Sequence, residues 1–177
     1  MANEKMEISI FVNKLVDRLK EEKAFELILR DVEESKMTWD QVARERIGPI
    51  VKSVFQESFP EVSVKEAVNI EGEGALIKPY KLFGSLGQWP DIRILKPHRI
   101  AIELDHSGRK DGNAGSNFKT ALAKAAFGYL SGDWDYCLVL FHNHTGKPMK
   151  SFLEREKDQR ILNFYRENFY TQIFLFE

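Results

Sequence analysis

Cysteine is almost missing from this chain: there is one, Cys137, among 177 residues. A single cysteine cannot close an internal disulfide, so an intracellular setting is expected. Its position inside the apolar run "DYCLVLF" reads as a buried, inert thiol rather than a nucleophile. Long apolar runs are also missing. None approaches the roughly 20 residues that span a bilayer, and the N-terminus lacks the basic-then-apolar pattern of a signal peptide. No internal repeat, low-complexity tract or Pro/Gly/Ser linker interrupts the sequence. Net charge is scarce as well, at −1 overall, which argues against a generic nucleic-acid-coating protein.

What remains is an ordinary globular composition, 43% hydrophobic and 30% charged, long enough for one domain with a sizeable core. The near-zero net charge hides a pattern. Residues 1–76 hold 11 basic and 16 acidic side chains. Residues 77–110 invert this: Lys78, Lys81, Arg93, Lys96, Arg99, Arg109 and Lys110 stand against Asp91, Glu103 and Asp105 alone. Basic residues around a small acidic cluster suit a site that attracts phosphate while its acids hold a cation. They equally suit turns and strand rims.

Apolar spacing organises the chain. Ile8, Phe11, Val12, Leu15, Val16 and Leu19 make a helical stripe, and Phe25 to Val32 extend it, predicting one or two helices over residues 7–34. "TWDQ" from Thr38 has capping-box spacing and opens a second helix. Gly48-Pro49 is expected to interrupt it, with Pro49 starting a new helix that Pro60 closes. "EVSVKEAVNI" alternates in part and predicts a strand through Val62 and Val64. Further strands are expected in "ALI" with "YKLFG", in "QWPDIRIL" and in "HRIAIELD". "GRKDGNAGSN" reads as a loop, with Ser116 or Asn117 capping a helix whose inner face holds Phe118, Ala121, Leu122, Ala125, Tyr129 and Leu130. "YCLVLF" predicts a strand buried on both faces. A helix over Phe152 to Phe169 is expected to face Leu153, Ile161, Leu162 and Phe164 or Tyr165 inward, and "TQIFLF" to form a last strand. This order makes a three-layer α/β domain. Trp39, Trp89 and Trp134 read as core or interface anchors.

The chemistry concentrates in "PDIRILKPHRIAIELDHSGRK". On a strand, Ala101, Glu103 and Asp105 share one face and Ile100, Ile102 and Leu104 the other. A hairpin through Lys96-Pro97 would bring Asp91 to the same rim. Hard oxygen ligands with room for water suit Mg²⁺ or Mn²⁺, which can activate water and stabilise charge on a phosphodiester. Ordinary bridges to Arg93, Arg99 or Arg109 are the alternative reading of the same three acids. "FHNHTGK" places His142 and His144 after a strand, most simply as a loop, and His106, which adjoins Asp105, is a candidate contact for the scissile phosphate.

Pro90-Asp91, a strand, and Glu103-Leu104-Asp105, with a helix before and the Phe118–Leu130 helix and an apolar strand after, resemble the PD-(D/E)xK nuclease superfamily, which includes many type II restriction endonucleases. The likeness runs from about Pro49 to Phe141. It implies a restriction-endonuclease-like α/β/α core with a central mixed sheet over residues 49–145, preceded by extra N-terminal helices (1–48) and followed by a helix and strand (146–177). It implies Asp91 and Glu103 as ligands of Mg²⁺ or Mn²⁺, with DNA as substrate. The family's usual lysine is replaced by Asp105, which becomes a further ligand or a base. A lysine from elsewhere, Lys119 or Lys124 on the following helix, Lys110 or Lys78, would then assist. Glu57, with Glu45 behind it, matches the acid that often precedes the strands. Arg109, Lys110, Asn113 and Lys78 are the expected DNA contacts. Cutting both strands of a duplex with so compact a chain implies a homodimer. The alternative is a nuclease fold that has lost catalysis and binds DNA or protein.

Overall fold

The computed structural model describes residues 2–35, 37–73, 90–107 and 114–177. The chain divides into two compact units, one formed by Met1–Ala75 with Ile92–His98, the other by Leu76–Asp91 with Arg99–Glu177. Both combine helices with strands, so the α/β class holds. The expected strands in "ALI" and "YKLFG", and Trp89, lie outside the described residues.

In the first unit, α1 (Ala2–Glu21) and α2 (Ala24–Glu34) meet at Lys23, whose φ of 50° turns the chain through the left-handed region. All six residues of the α1 stripe are buried. They face α3 (Trp39–Ser58), where Phe11, Phe55 and Phe59 form a cluster with centroids 5.2–6.4 Å apart. The capping box forms as the sequence predicts: Gln41 N–H donates to Thr38 Oγ1 at 3.3 Å, and Thr38 N–H donates to Gln41 Oε1 at 3.0 Å. The break at Pro49 does not occur, and α3 runs through it. Proline inside a helix sacrifices one N–H bond. Here the buried face on both sides, Ile47, Ile50, Val51, Val54 and Phe55, holds the helix together. Gly48 contributes by closeness: a Cβ there would lie 2.3 Å from Ile70 Cδ1.

The strand expected through Val62 and Val64 is a correction. Val64–Ala67 is a helical turn, α4, and only Val68–Ile70 forms β1. Glu66 and Ala67 N–H groups bond back to Ser63 O, closing the turn before extended backbone begins. β2 (Ile92–Ile94) pairs antiparallel with β1, with Ile70 opposite Ile92 and Val68 opposite Ile94.

In the second unit, β3 (Ile100–Ser107), β4 (Tyr136–Asn143) and β5 (Thr171–Phe176) run parallel, with Glu103 beside Val139 and Val139 beside Ile173. β4 is buried along almost its whole length, as expected of a central parallel strand. The connecting helix α5 (Ala114–Leu130) covers the face bearing Phe141, against which Phe118 packs edge-on at 5.2 Å. It begins before the expected caps, so Ser116 and Asn117 lie inside it. Leu130 is exposed rather than on the inner face. The single helix expected over Phe152–Phe169 is two, α6 (Lys150–Leu153) and α7 (Glu156–Phe169). α7 buries no residue: Ile161 is 52% and Phe164 53% exposed. Trp39 and Trp134 are buried. Among the described residues, no helix is long and apolar enough to cross a membrane.

Candidate functional site

Two of the three acids, Glu103 and Asp105, stand on β3, and Asp91 precedes β2. The odd-numbered backbone groups of β3 point toward β4: Arg99 O accepts from Tyr136 N–H, and Ser107 O accepts from His144 N–H. Leu104 N–H therefore points away from β4. Asp91 meets it there, accepting that hydrogen bond on Oδ2 at 2.8 Å. The Asp91 carboxylate is thus anchored at the residue between Glu103 and Asp105. Alternation turns Glu103 and Asp105 to the α5 side of the sheet, where both are half-buried. Asp105 Oδ1 accepts from His106 N–H at 2.8 Å, and Lys124 Nζ of α5 lies 3.5 Å from Oδ2.

The Glu103 charge also reaches Cys137 on the neighbouring strand. Burial pushes that thiol far above the ordinary range, and Glu103 adds to the rise. The inert thiol expected from the sequence is consistent with this environment.

Arg99 is held by Asp135, at 2.5 Å from Nη2 to Oδ1. Arg93 is buried in the first unit, its pKa lowered by desolvation and partly restored by Glu71. Arg109 lies outside the described residues, as do Lys110, Asn113 and Lys78.

Of the lysines on α5, Lys124 faces Asp105, while Lys119 is exposed and lines a cavity of about 510 Å³ with Phe118, Leu122, Met149, Leu153 and Ile161. Position 124 lies three residues beyond the buried Ala121, a flank from which a four-carbon stem can cross apolar surface to reach the sheet. Glu57 is engaged within the first unit by Lys14 at 2.7 Å and Arg18 at 3.2 Å. Its hydrogen bond to Lys14 is the main cause of a lowered pKa. Glu45 lies beside Arg46, in a surface cavity of the same unit.

Two features were not foreseen. His142 is not in a loop but is buried in β4, and burial, reinforced by His144 and His106, brings its pKa down to about 3. His144 stacks on His106 at 5.6 Å and meets His142 at 5.0 Å. His106 alternates to the face opposite Asp105, so adjacency in sequence does not put its ring beside the acids. Its i+1 position could have signalled that. The second is Ser107, whose buried Oγ has no hydrogen-bond partner among the described residues.

Among the described residues, no three His, Cys, Asp or Glu side chains are close enough to enclose a metal ion by themselves. Asp91, Glu103 and Asp105 are all described, so the three-carboxylate metal site expected from the sequence is not assembled by these side chains alone. The Leu104 N–H fixes one oxygen of the Asp91 carboxylate, Oδ2.

No known protein family, curated protein or solved structure matches the chain.

Proposed function

We propose that this chain is a divalent-metal-dependent phosphodiesterase acting on DNA, with a restriction-endonuclease-like core. The observation that carries the reading is the anchoring of Asp91 Oδ2 on Leu104 N–H, between Glu103 and Asp105, with Lys124 beside Asp105. Asp91 and Glu103 would hold Mg²⁺ or Mn²⁺, with Asp105 completing the rim. A bound Mg²⁺ would supply charge neutralisation at the phosphodiester and a water of lowered pKa. Leu104 N–H fixes the direction of the Asp91 carboxylate. Asp105 holds the Lys124 ammonium at the rim, where it orients the attacking water and attracts the phosphate. Lys124, rather than Lys119, then takes the part of the lysine that Asp105 displaces.

Plasmid DNA incubated with the protein and Mg²⁺ or Mn²⁺ tests this. Wild type should cut, and Glu103→Gln should lose at least two orders of magnitude in rate. Equal activity in both would sink the proposal.

A second reading, a nuclease fold that binds DNA or protein without cutting, is favoured by Asp105 at the lysine position. It predicts no Mn²⁺ binding at millimolar concentration and undiminished partner binding in Glu103→Gln.

A further inference from the structure

The cavity of about 510 Å³ beside Lys119 lies wholly within the second unit, and every residue that lines it is described. α5 turns one face to it: Gly115, Phe118, Lys119 and Leu122 recur at three- and four-residue steps. α7 does the same with Lys157, Asp158, Ile161 and Leu162. The segment after β4 adds Thr145, Lys147, Pro148 and Met149. That segment is held in place from within. Asn143, 5% exposed, accepts from the Thr145 hydroxyl at 2.8 Å and donates to Lys147 O at 2.9 Å. Glu177 accepts from the same Asn143 amide and from Met149 N–H. Small-molecule sites are largely pre-formed clefts of about 300–1,000 Å³, apolar with a few polar groups. In parallel α/β sheets they lie beyond the carboxyl ends of the strands. This cavity is placed so, between the first turn of the helix after β3 and the segment after β4.

Its two parts differ in chemistry. The floor is apolar, with Phe118, Leu122 and Met149 buried and Ile161 exposed on the wall. The mouth is cationic: Lys119, Lys147 and Lys157 are exposed and pair with no acid among the described residues. The lining's one acid, Asp158, is taken up by Arg155 at 2.9 Å. A nucleotide base has no stacking platform here, because Phe118, the lining's one aromatic ring, is buried edge-on against Phe141. We propose that this cavity binds a small amphipathic anion, an aliphatic chain ending in a carboxylate. The chain lies on Phe118, Leu122, Met149 and Ile161, and the carboxylate sits among Lys119, Lys147 and Lys157. Covering Ile161 removes from water an apolar side chain that α7 leaves bare. The site uses none of Asp91, Glu103 and Asp105, so it and the phosphodiesterase reading can fail separately.

Titration calorimetry of the whole chain with octanoate, below its micellar concentration, should show saturable binding of one molecule. Octanol, with the same chain and no charge, should bind at least tenfold more weakly, and octyltrimethylammonium should not bind. Inorganic phosphate should not displace octanoate. Ile161→Asp and Lys147→Glu, both at exposed positions, should keep the wild-type circular dichroism and each weaken octanoate at least tenfold. Glu103→Gln should bind it as wild type does. The proposal is overturned by no saturable binding, by equal affinity for the three octyl compounds, by displacement with phosphate, by unchanged affinity in both cavity variants, or by loss of binding in Glu103→Gln. If a cavity variant does not fold, the three octyl compounds on the wild type decide alone.

Discussion

Removing the Asp91 side chain separates its structural role from its chemical one. Asp91→Ala leaves the Leu104 N–H, on a buried residue of β3, without its acceptor. An orphaned buried donor costs about 1–3 kcal/mol. For a chain of this size each kcal/mol moves the melting temperature by about 2–4 °C, so the drop should fall between about 2 and 12 °C. Asp91→Asn keeps an oxygen for that N–H and loses only the charge assistance, so its cost should stay near or below about 1 kcal/mol. Urea titrations of the three proteins, compared at constant m, give the stabilities. Mn²⁺ titration calorimetry on the same samples gives the ligand role. Both variants should lose Mn²⁺ binding, but only Asp91→Ala should lose much stability. An Asp91→Ala protein as stable as wild type would refute the anchoring bond. An Asp91→Asn protein that binds Mn²⁺ as wild type does would refute the ligand role while leaving the bond intact.

Lys124→Met should cut DNA at least tenfold more slowly than wild type, whereas Lys119→Met should not, in the plasmid assay. Stability should hardly change in either, because a half-exposed ion pair contributes under about 1 kcal/mol. His142 makes the fold acid-sensitive in a defined interval. The unfolded chain takes up its proton below the ordinary 6.5 while the folded chain resists until about 3. Stability from this group is therefore complete above 6.5 and is lost as pH falls toward 3; between pH 8 and pH 5 the loss is about 2 kcal/mol. Urea denaturation at the two pH values should show His142→Gln free of that part of the slope, and an unchanged slope in the variant would count against it. Thr38→Ala should lose about 1 kcal/mol with its capping box, read as a lower urea midpoint.

The parts of the fold that periodicity governs were legible in the sequence. The α1 stripe, the Thr38 capping box, the parity of Glu103 and Asp105, and the buried run of β4 all depend on neighbours a few residues away. The errors came where distant contacts override local rules. Pro49 should end a helix, but the buried residues on either side of it carry α3 through. Val62 and Val64 alternate like a strand, yet the turn around Ser63 takes Val64 into a helix. Ile161 and Phe164 look like an inner face, and whether such a face is covered within one chain is not a property of the local pattern. At the candidate site, the sequence indicated that Asp91 would approach β3 but not that it would do so through a backbone amide. It offered four lysines to replace the missing one, and only the azimuth of α5 against the sheet separates Lys124 from Lys119.

Cys137 gives the molecule an internal clock. It is the chain's single thiol, sunk in the middle strand of the parallel sheet opposite Ala101 and Thr171. A maleimide or disulfide reagent in native buffer can reach it only when that strand opens, so the labelling rate measures how often the sheet opens there. Because the same strand runs beside Glu103, one unmodified residue reports the local stability of the platform on which the acids stand.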